Sequence, residues 1–256
     1  MPSFHLVFKD GQKLKQIIDL CKDIVCDVSF EISDNGIFMQ AMDMSHVSLV
    51  SFLLEKKEFE DYSLYGNNHF VISLSLRNLS LILKSYRPSF KLSFAYDKED
   101  EKLQIIYNFI SQECDTDEQY TFSLQLFNME NECLQIPTEE YDCSLTMNSQ
   151  EMYDMLKNIS IFQDSLRIAI VGKVVTFETT GDFGNVVFCK SFPKTALKSK
   201  FQQISFSYSM KYLSMFSKAY IMSKNVEIGF QEEQPIHMSY QFDGGKIEFH
   251  LAPKIE

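Results

Sequence analysis

The 256-residue chain contains no tryptophan, no CxxC pair and no uninterrupted apolar run approaching the ~20 residues of a membrane span. The missing tryptophan, beside twenty-three phenylalanines, carries no functional meaning. The other absences exclude more. Without a GxxxxGK[ST] phosphate loop, a GxSxG elbow, an HExxH pair or a Cys/His cluster of metal-ligand spacing, no catalytic site assembles, and neither a cofactor nor a metal is expected. The acids of "CDTDEQ", Asp115, Asp117 and Glu118, could be read as a Mg²⁺ ligand set of a nuclease. No catalytic base accompanies them, and clustered acids in a polar turn are ordinarily solvated. The N-terminal "MPSFHLVFKDG" lacks an apolar core of signal-peptide length. Cysteines 21, 26, 114, 133, 143 and 189 stand apart, as unpaired thiols of a reducing compartment do. The expectation is a soluble intracellular protein that is not an enzyme and has no membrane partner.

Positive charge is also in short supply: 24 Lys+Arg face 35 Asp+Glu, a net charge of −11. That balance argues against a generic nucleic-acid binder, which is usually basic. Screening acts over ~8 Å at physiological salt, however, so a local basic face can persist in an acidic protein. Hydrophobic content of 45% with 23% charged residues supports a real core, and the length allows one large domain or two ordinary ones.

What the sequence does contain is repetition. "SLRNLSLILKS" (residues 75–85) and "SMKYLSMFSKA" (209–219) read alike 134 residues apart. "LKQIIDLCKDI" (14–24) lies 135 residues before "SQEMYDMLKNI" (149–159), and each helix follows a short strand pattern, "FHLVF" or "YDCSLTM". Two helices per half at one offset imply a duplicated domain. Between them run strand-like segments: "HVSLVSFLL", "FKLSFAY", "KLQIIYNFI", "YTFSLQLF", "RIAIVG", "VVTFET", "NVVFCKSF", "QISFSY", "VEIGF", "IHMSYQF" and "KIEFHLA". The pattern predicts an α+β fold of two similar domains, 1–127 and 141–256, with antiparallel sheets and four helices. The polar, acidic stretch 128–140, broken by Pro137, reads as a connector.

Each helix places apolar residues on one face and bases on the other. In 11–25, Leu14, Ile17, Ile18, Cys21, Ile24 and Val25 face inward and Lys15 and Lys22 outward. In 75–86, Leu76, Leu79, Ile82 and Leu83 oppose Arg77 and Lys84. In 151–162, Met152, Met155, Leu156 and Ile159 oppose Lys157, and in 208–219 Met210, Leu213 and Phe216 oppose Lys211 and Lys218. Three helices thus carry bases seven apart, ~20° from each other around the axis, and two of them carry no acid at all. One such helix is an ordinary solvated face. Three in an acidic chain point to a polyanion, and duplex DNA offers a charge every ~1.7 Å. No array of Asn or Gln accompanies the bases, so the contact would be to backbone and blind to sequence.

Three strings then identify a resemblance. "MQAMDMSHVSLV" (39–50), "LQIPTEEYDC" (134–143) and the terminal "LAPKIE" (251–256) closely resemble the proliferating cell nuclear antigen family, the eukaryotic DNA sliding clamps, and the likeness runs through the whole chain. It implies a nuclear, homotrimeric ring of six similar domains that encircles double-stranded DNA, with helices lining the bore and sheets outside. Lys15, Lys22, Arg77, Lys84, Lys157, Lys211 and Lys218 would face DNA. Gln16, Leu81 and Ile161 stand where such clamps often carry a base, so the bore is expected to be less positive.

The resemblance also implies docking of DNA polymerase, clamp loader, flap endonuclease and DNA ligase through a short motif with aromatic and aliphatic anchors. The matching positions are Met42, Ser45, His46, Val47 and Leu49; Leu134, Gln135, Ile136 and Tyr141; Pro235; and Ala252, Pro253, Lys254 and Ile255. Subunits would join through edge strands near "YTFSLQLF" and "FGNVVFCK", with Phe122 and Phe183 as their apolar members. A subunit of a heteromeric checkpoint-type clamp is the alternative. Three departures from the family stand out: a basic loop at 190–200 where relatives are acidic, Lys173 displaced by one from the ubiquitin-acceptor position, and His250 in place of a phenol.

Overall fold

A computed structural model of the chain describes residues 3–110, 117–129, 134, 141–162, 164–182, 184–232 and 234–254. Two compact units emerge. The first comprises residues 1–41, 51–134 and 243–246, and the second 42–50, 135–242 and 247–256.

In chain order, the elements of the first half are β1 (Phe4–Phe8), α1 (Gly11–Cys21), β2 (Asp27–Ser33), β3 (Gly36–Met42), β4 (Ser48–Glu55), β5 (Phe59–Leu64), β6 (His69–Ser75), α2 (Leu76–Leu83), β7 (Lys91–Asp97), β8 (Lys102–Ile110) and β9 (Asp117–Gln125). The second half repeats them: β10 (Cys143–Asn148), α3 (Ser149–Ile159), β11 (Ser165–Val171), β12 (Val174–Gly181), β13 (Gly184–Ser191), β14 (Leu197–Ser199), β15 (Gln203–Ser209), α4 (Met210–Ser217), β16 (Asn225–Phe230), β17 (Ile236–Phe242) and β18 (Gly245–Leu251). Hydrogen bonding repeats too. Strands run β5-β1-β7-β8-β9 and β4-β3-β2-β6 in one half, and β14-β10-β16-β17-β18 and β13-β12-β11-β15 in the other. Every helix connects one sheet of its half to the other, α1 from β1 to β2 and α2 from β6 back to β7, and likewise α3 and α4.

Local chemistry sets the helix ends. Asp10 caps α1 by accepting from the Gln12 N–H at 2.8 Å, and Asn148 caps α3 by accepting from Glu151 at 3.0 Å. The serines before α2 and α4 make no side-chain capping bond, so these eight-residue helices depend on packing. The inward residues read from the pattern are buried in all four helices, except Ile82, which is half-buried. Burying each large side chain contributes roughly 1.5–3 kcal/mol. Phenylalanine fills much of both cores: Phe8 meets Phe94 edge-on at 4.9 Å, and Phe216 of α4 stacks on Phe249 of β18 at 4.5 Å.

Five strands, β2, β3, β5, β6 and β14, fall outside the segments picked out by sequence pattern. β5 carries two acids and lies at a sheet edge, and β14 has only three residues. Their partners, more than their composition, make them strands. Gly36 opens β3 at φ +130°, and a Cβ there would stand 2.0 Å from the Leu54 carbonyl oxygen.

Two sequence expectations need correction. Residues 190–200 are not one basic loop: Lys190 and Ser191 end β13, and Leu197–Ser199 form β14 against β10. Acids answer two of its four lysines, since Lys190 pairs with Glu151 and Lys200 lies 3.1 Å from Asp142. Asp117 and Glu118 open β9 opposite Ile110 and Phe109 and are not turn residues, while Asp115 lies outside the described residues. Among the described cysteines, Cys21 and Cys143 are buried, Cys26 and Cys189 are exposed, and all four are free. No helix of the described residues is long and apolar enough to cross a membrane.

Candidate functional site

The basic residues stand on the outward helix faces. In the first unit, Lys15 lies within α1 and is half-exposed, while Arg77 and Lys84, at the start and C-cap of α2, are exposed. In the second, Lys157 on α3 and Lys211 and Lys218 on and after α4 are exposed. The side chains of Lys15, Arg77, Lys84 and Lys157 form no ion pair or hydrogen bond with a described residue, so their charge remains available to a ligand. Lys22 differs. It lies 2.5 Å from Asp19 and donates to Ser80 Oγ at 3.1 Å, while Ser80 donates to the same Asp19 oxygen at 3.0 Å. This triad ties α1 to α2 and spends part of the Lys22 charge. Leu81 and Ile161 are 56% and 75% exposed, leaving apolar gaps among the bases.

A second constellation forms around Asp43, in the turn between β3 and β4. One carboxylate oxygen accepts from the Val47 and Ser48 N–H groups at 3.0 and 2.7 Å. The other accepts from the Ser45 N–H at 3.1 Å, from the Tyr212 hydroxyl at 2.6 Å and from the Ser45 hydroxyl. Burial alone would raise this carboxyl, but the hydrogen bonds from Ser45, Tyr212 and Ser48 outweigh it and hold the group at about 2. The ionised side chain therefore fixes the 43–48 turn, with His46 at φ +55°. Met44, Ser45, His46 and Val47 are exposed, Met42 is half-buried, and Leu49 is buried beneath them. The C-terminal segment is stitched beside this turn: the Ala252 N–H donates to the Val47 carbonyl at 2.9 Å and the Lys254 N–H to the Ser207 carbonyl at 2.7 Å. Ala252 and Pro253 are half-buried, and Lys254 and Pro235 exposed.

On the same unit, Tyr141 lies flat over Gly229, where a Cβ would stand 2.5 Å from the ring. Its ring stacks on His237 at 5.1 Å, and His237 stacks on His250 at 4.6 Å. Burial, then the Glu248 charge, pushes the Tyr141 phenol up to about 12. In the first unit, Gln40 fixes Leu134 by a two-bond clamp: its amide accepts from the Leu134 N–H at 2.7 Å and donates to the Leu134 carbonyl at 3.1 Å. Leu134 itself is 43% exposed. Gln135, Ile136, Ile255 and Phe183 lie outside the described residues.

The structure adds Asp43, Tyr212, His237 and Gln40 to the residues expected from sequence. Asp43 sits in the recognised "MDMSHVSL" string, and an Asp two residues before a Ser is a turn signal. Nothing in sequence joins it to Tyr212, 169 positions away. Among the described residues, β9 and β13 are both edge strands. β9 ends one sheet of the first unit, with Phe122 half-buried 5.2 Å from the Tyr107 ring, and β13 ends one sheet of the second, with Val187 49% exposed.

Comparison with known proteins places this arrangement. The family models for the proliferating cell nuclear antigen N-terminal and C-terminal domains match residues 3–133 and 135–255. A proliferating cell nuclear antigen of Chaetomium thermophilum is 30% identical over 250 residues, covering 94% of each chain. Proliferating cell nuclear antigen 2 of Drosophila melanogaster is 28% identical over 245 residues, again covering 94% of each. The crystal structure of the Entamoeba histolytica protein superposes with a TM-score of 0.87 at 28% identity, over the whole of both chains.

Proposed function

The chain belongs to the proliferating cell nuclear antigen family of DNA sliding clamps, which are not enzymes, and from that premise we propose that three copies close into a ring around duplex DNA and tether other proteins to it. One observation carries the reading. In a chain of net charge −11, the outward faces of all four helices carry bases and bury apolar residues on the other side, and the two halves match element for element. Six such units in a trimer would present a ring of cations to the phosphates. The Lys and Arg stems are long and no base-reading array accompanies them, so the contact would be loose and sequence-blind, as sliding requires. Retention would come from topology. The acidic excess, carried elsewhere on the chain, would discourage unspecific DNA contact from outside.

Ring closure would pair β9 of one protomer with β13 of the next, covering two edge strands; Phe122 and Phe183 are the expected apolar members. The Asp43 turn, the Tyr141 stack and the segment ending in Lys254 would form the docking surface. Their apolar parts would take aliphatic and aromatic anchors, and the extended tail would offer backbone groups. The expected partners are replicative DNA polymerase, the clamp loader, flap endonuclease and DNA ligase, and the expected compartment is the nucleus. Light scattering over a range of concentrations tests the ring. A stable species of about 89 kDa, three times 29.8 kDa, is the expected result. A species near 30 kDa at every concentration would remove the homotrimer and turn the search to missing partner subunits, as in a checkpoint-type clamp.

A further inference from the structure

Beside Tyr141, on the second unit, lies a surface cavity of about 420 Å³ lined by Tyr141, Asp142, Ser144, Lys198, Ser199 and Lys200. Strand register explains its chemistry. β14 pairs antiparallel with β10 so that Lys198 stands opposite Ser144, and both alternate with the buried residues Cys143, Leu145 and Leu197. Their side chains therefore share the face of the sheet turned away from the core.

The charges around the cavity do not cancel. Lys200 is answered by Asp142, whose carboxylate lies 3.1 Å from its Nζ and whose carbonyl accepts the Lys200 N–H at 2.9 Å. Ser199 is spent on Phe201, whose carbonyl it bonds at 3.0 Å and whose N–H it accepts at 3.1 Å. Lys198 and the Ser144 hydroxyl have no partner among the described residues. The cavity's own lining thus offers an ammonium and a hydroxyl side by side, with one positive charge in excess among those six residues, while Glu248 acts on the Tyr141 wall and Glu227 stands farther along the same face as Ser144.

Position selects the occupant. Tyr141 is a wall of this cavity and also the first ring of the Tyr141–His237–His250 stack. A peptide lying on that stack reaches Lys198 by passing one aromatic ring. DNA is the poorer candidate. Phe216 of α4 stacks on Phe249, on the core face of the same sheet, so the basic helix packs on the side opposite to Lys198 and Ser144.

We propose that this cavity receives an Asp or Glu side chain flanking the hydrophobic anchors of a docked partner peptide, with Lys198 and Ser144 as its donors. The inference rests on the docking reading above. It makes the chain selective among partners: a neutral or basic flank gains nothing here, and an acidic flank gains a charge-assisted hydrogen bond.

Fluorescence anisotropy with synthetic peptides carrying one aliphatic and two aromatic anchors tests it. Each peptide is made with Ala-Ala or Glu-Glu at one flank or the other. On the wild-type protein, Glu-Glu at one of the two flanks is expected to tighten binding about three- to tenfold over Ala-Ala, the range of one partly exposed charge-assisted contact. The gain should fall between 50 and 500 mM NaCl. Lys198→Ala should erase it without changing the affinity of the Ala-Ala peptide, and Lys198→Glu should invert it; Lys198 is exposed, and circular dichroism melts check that both variants fold. Equal binding of Glu-Glu and Ala-Ala peptides to the wild type overturns the inference and leaves docking intact. So does an acidic preference that survives Lys198→Ala, or a loss of DNA retention in that variant with peptide binding unchanged. If no peptide binds in any form, the docking reading itself fails and this one falls with it.

Discussion

Replacing Asp43 by Asn tests whether one buried carboxylate organises the 43–48 turn. Asn can keep the oxygen that accepts from Val47 and Ser48, but it presents an amide NH₂ to the Ser45 N–H, which then has no acceptor. The carboxyl titrates at about 2 in the folded chain against an ordinary 3.8. At ~1.36 kcal/mol per pH unit, its ionised form contributes roughly 2 kcal/mol at neutral pH. Because the folded value is depressed, that contribution is complete above pH ~4 and is lost as pH falls through 2. It is about halved at pH 3 and mostly gone at pH 2. Urea unfolding of wild type and Asp43→Asn at pH 7, 5 and 3 should show a gap of about 2 kcal/mol at pH 7 that narrows by about 1 kcal/mol at pH 3. Hydrogen exchange at the Val47 and Ser48 amides should accelerate in the variant, locating the loss in the turn. A gap that is the same at pH 3 and pH 7, or absent at both, would refute the reasoning.

Other perturbations follow the same logic. Each of Lys84→Ala and Lys157→Ala should lower the slope of log affinity for duplex DNA against log salt by up to ~0.9, equally for unrelated sequences; an unchanged slope would show that these residues do not meet phosphates. Gly229→Ala forces the Tyr141 ring off the sheet and should cost about 1–3 kcal/mol in a thermal melt, together with a loss of docking-peptide affinity. Gln40→Ala removes both bonds to Leu134 and should speed exchange of the Leu134 amide while changing global stability by only about 1 kcal/mol; a protected amide in the variant would show that Gln40 does not hold it.

Much of this was legible before the structure, and the reason is periodicity. The helices announce themselves because Leu14, Ile17, Ile18 and Cys21, or Leu76, Leu79 and Leu83, recur at helical spacing with bases opposite, and the duplication shows because both helix pairs are offset by nearly the same distance. Short edge strands were less visible, because β5 and β14 owe their conformation to a neighbour supplied from far along the chain. The basic segment 190–200 misled for a related reason. Its four lysines lie within eleven residues, but Glu151 and Asp142, which neutralise Lys190 and Lys200, come from 39 and 58 residues away. The proposed docking surface was half legible: local strings marked Ser45, His46 and Val47, whereas the Asp43–Tyr212 bond and the Tyr141–His237–His250 stack arise only when distant strands meet.

Encirclement is tested most directly on duplex DNA tethered at one end, loaded with the clamp through its other end, and then either capped there by a bulky protein or left open. After a wash in 0.5 M NaCl, which strips contacts held by charge alone, a closed ring should remain on the capped DNA and be lost from the open DNA. Equal retention on both, or equal loss from both, would contradict a topological hold.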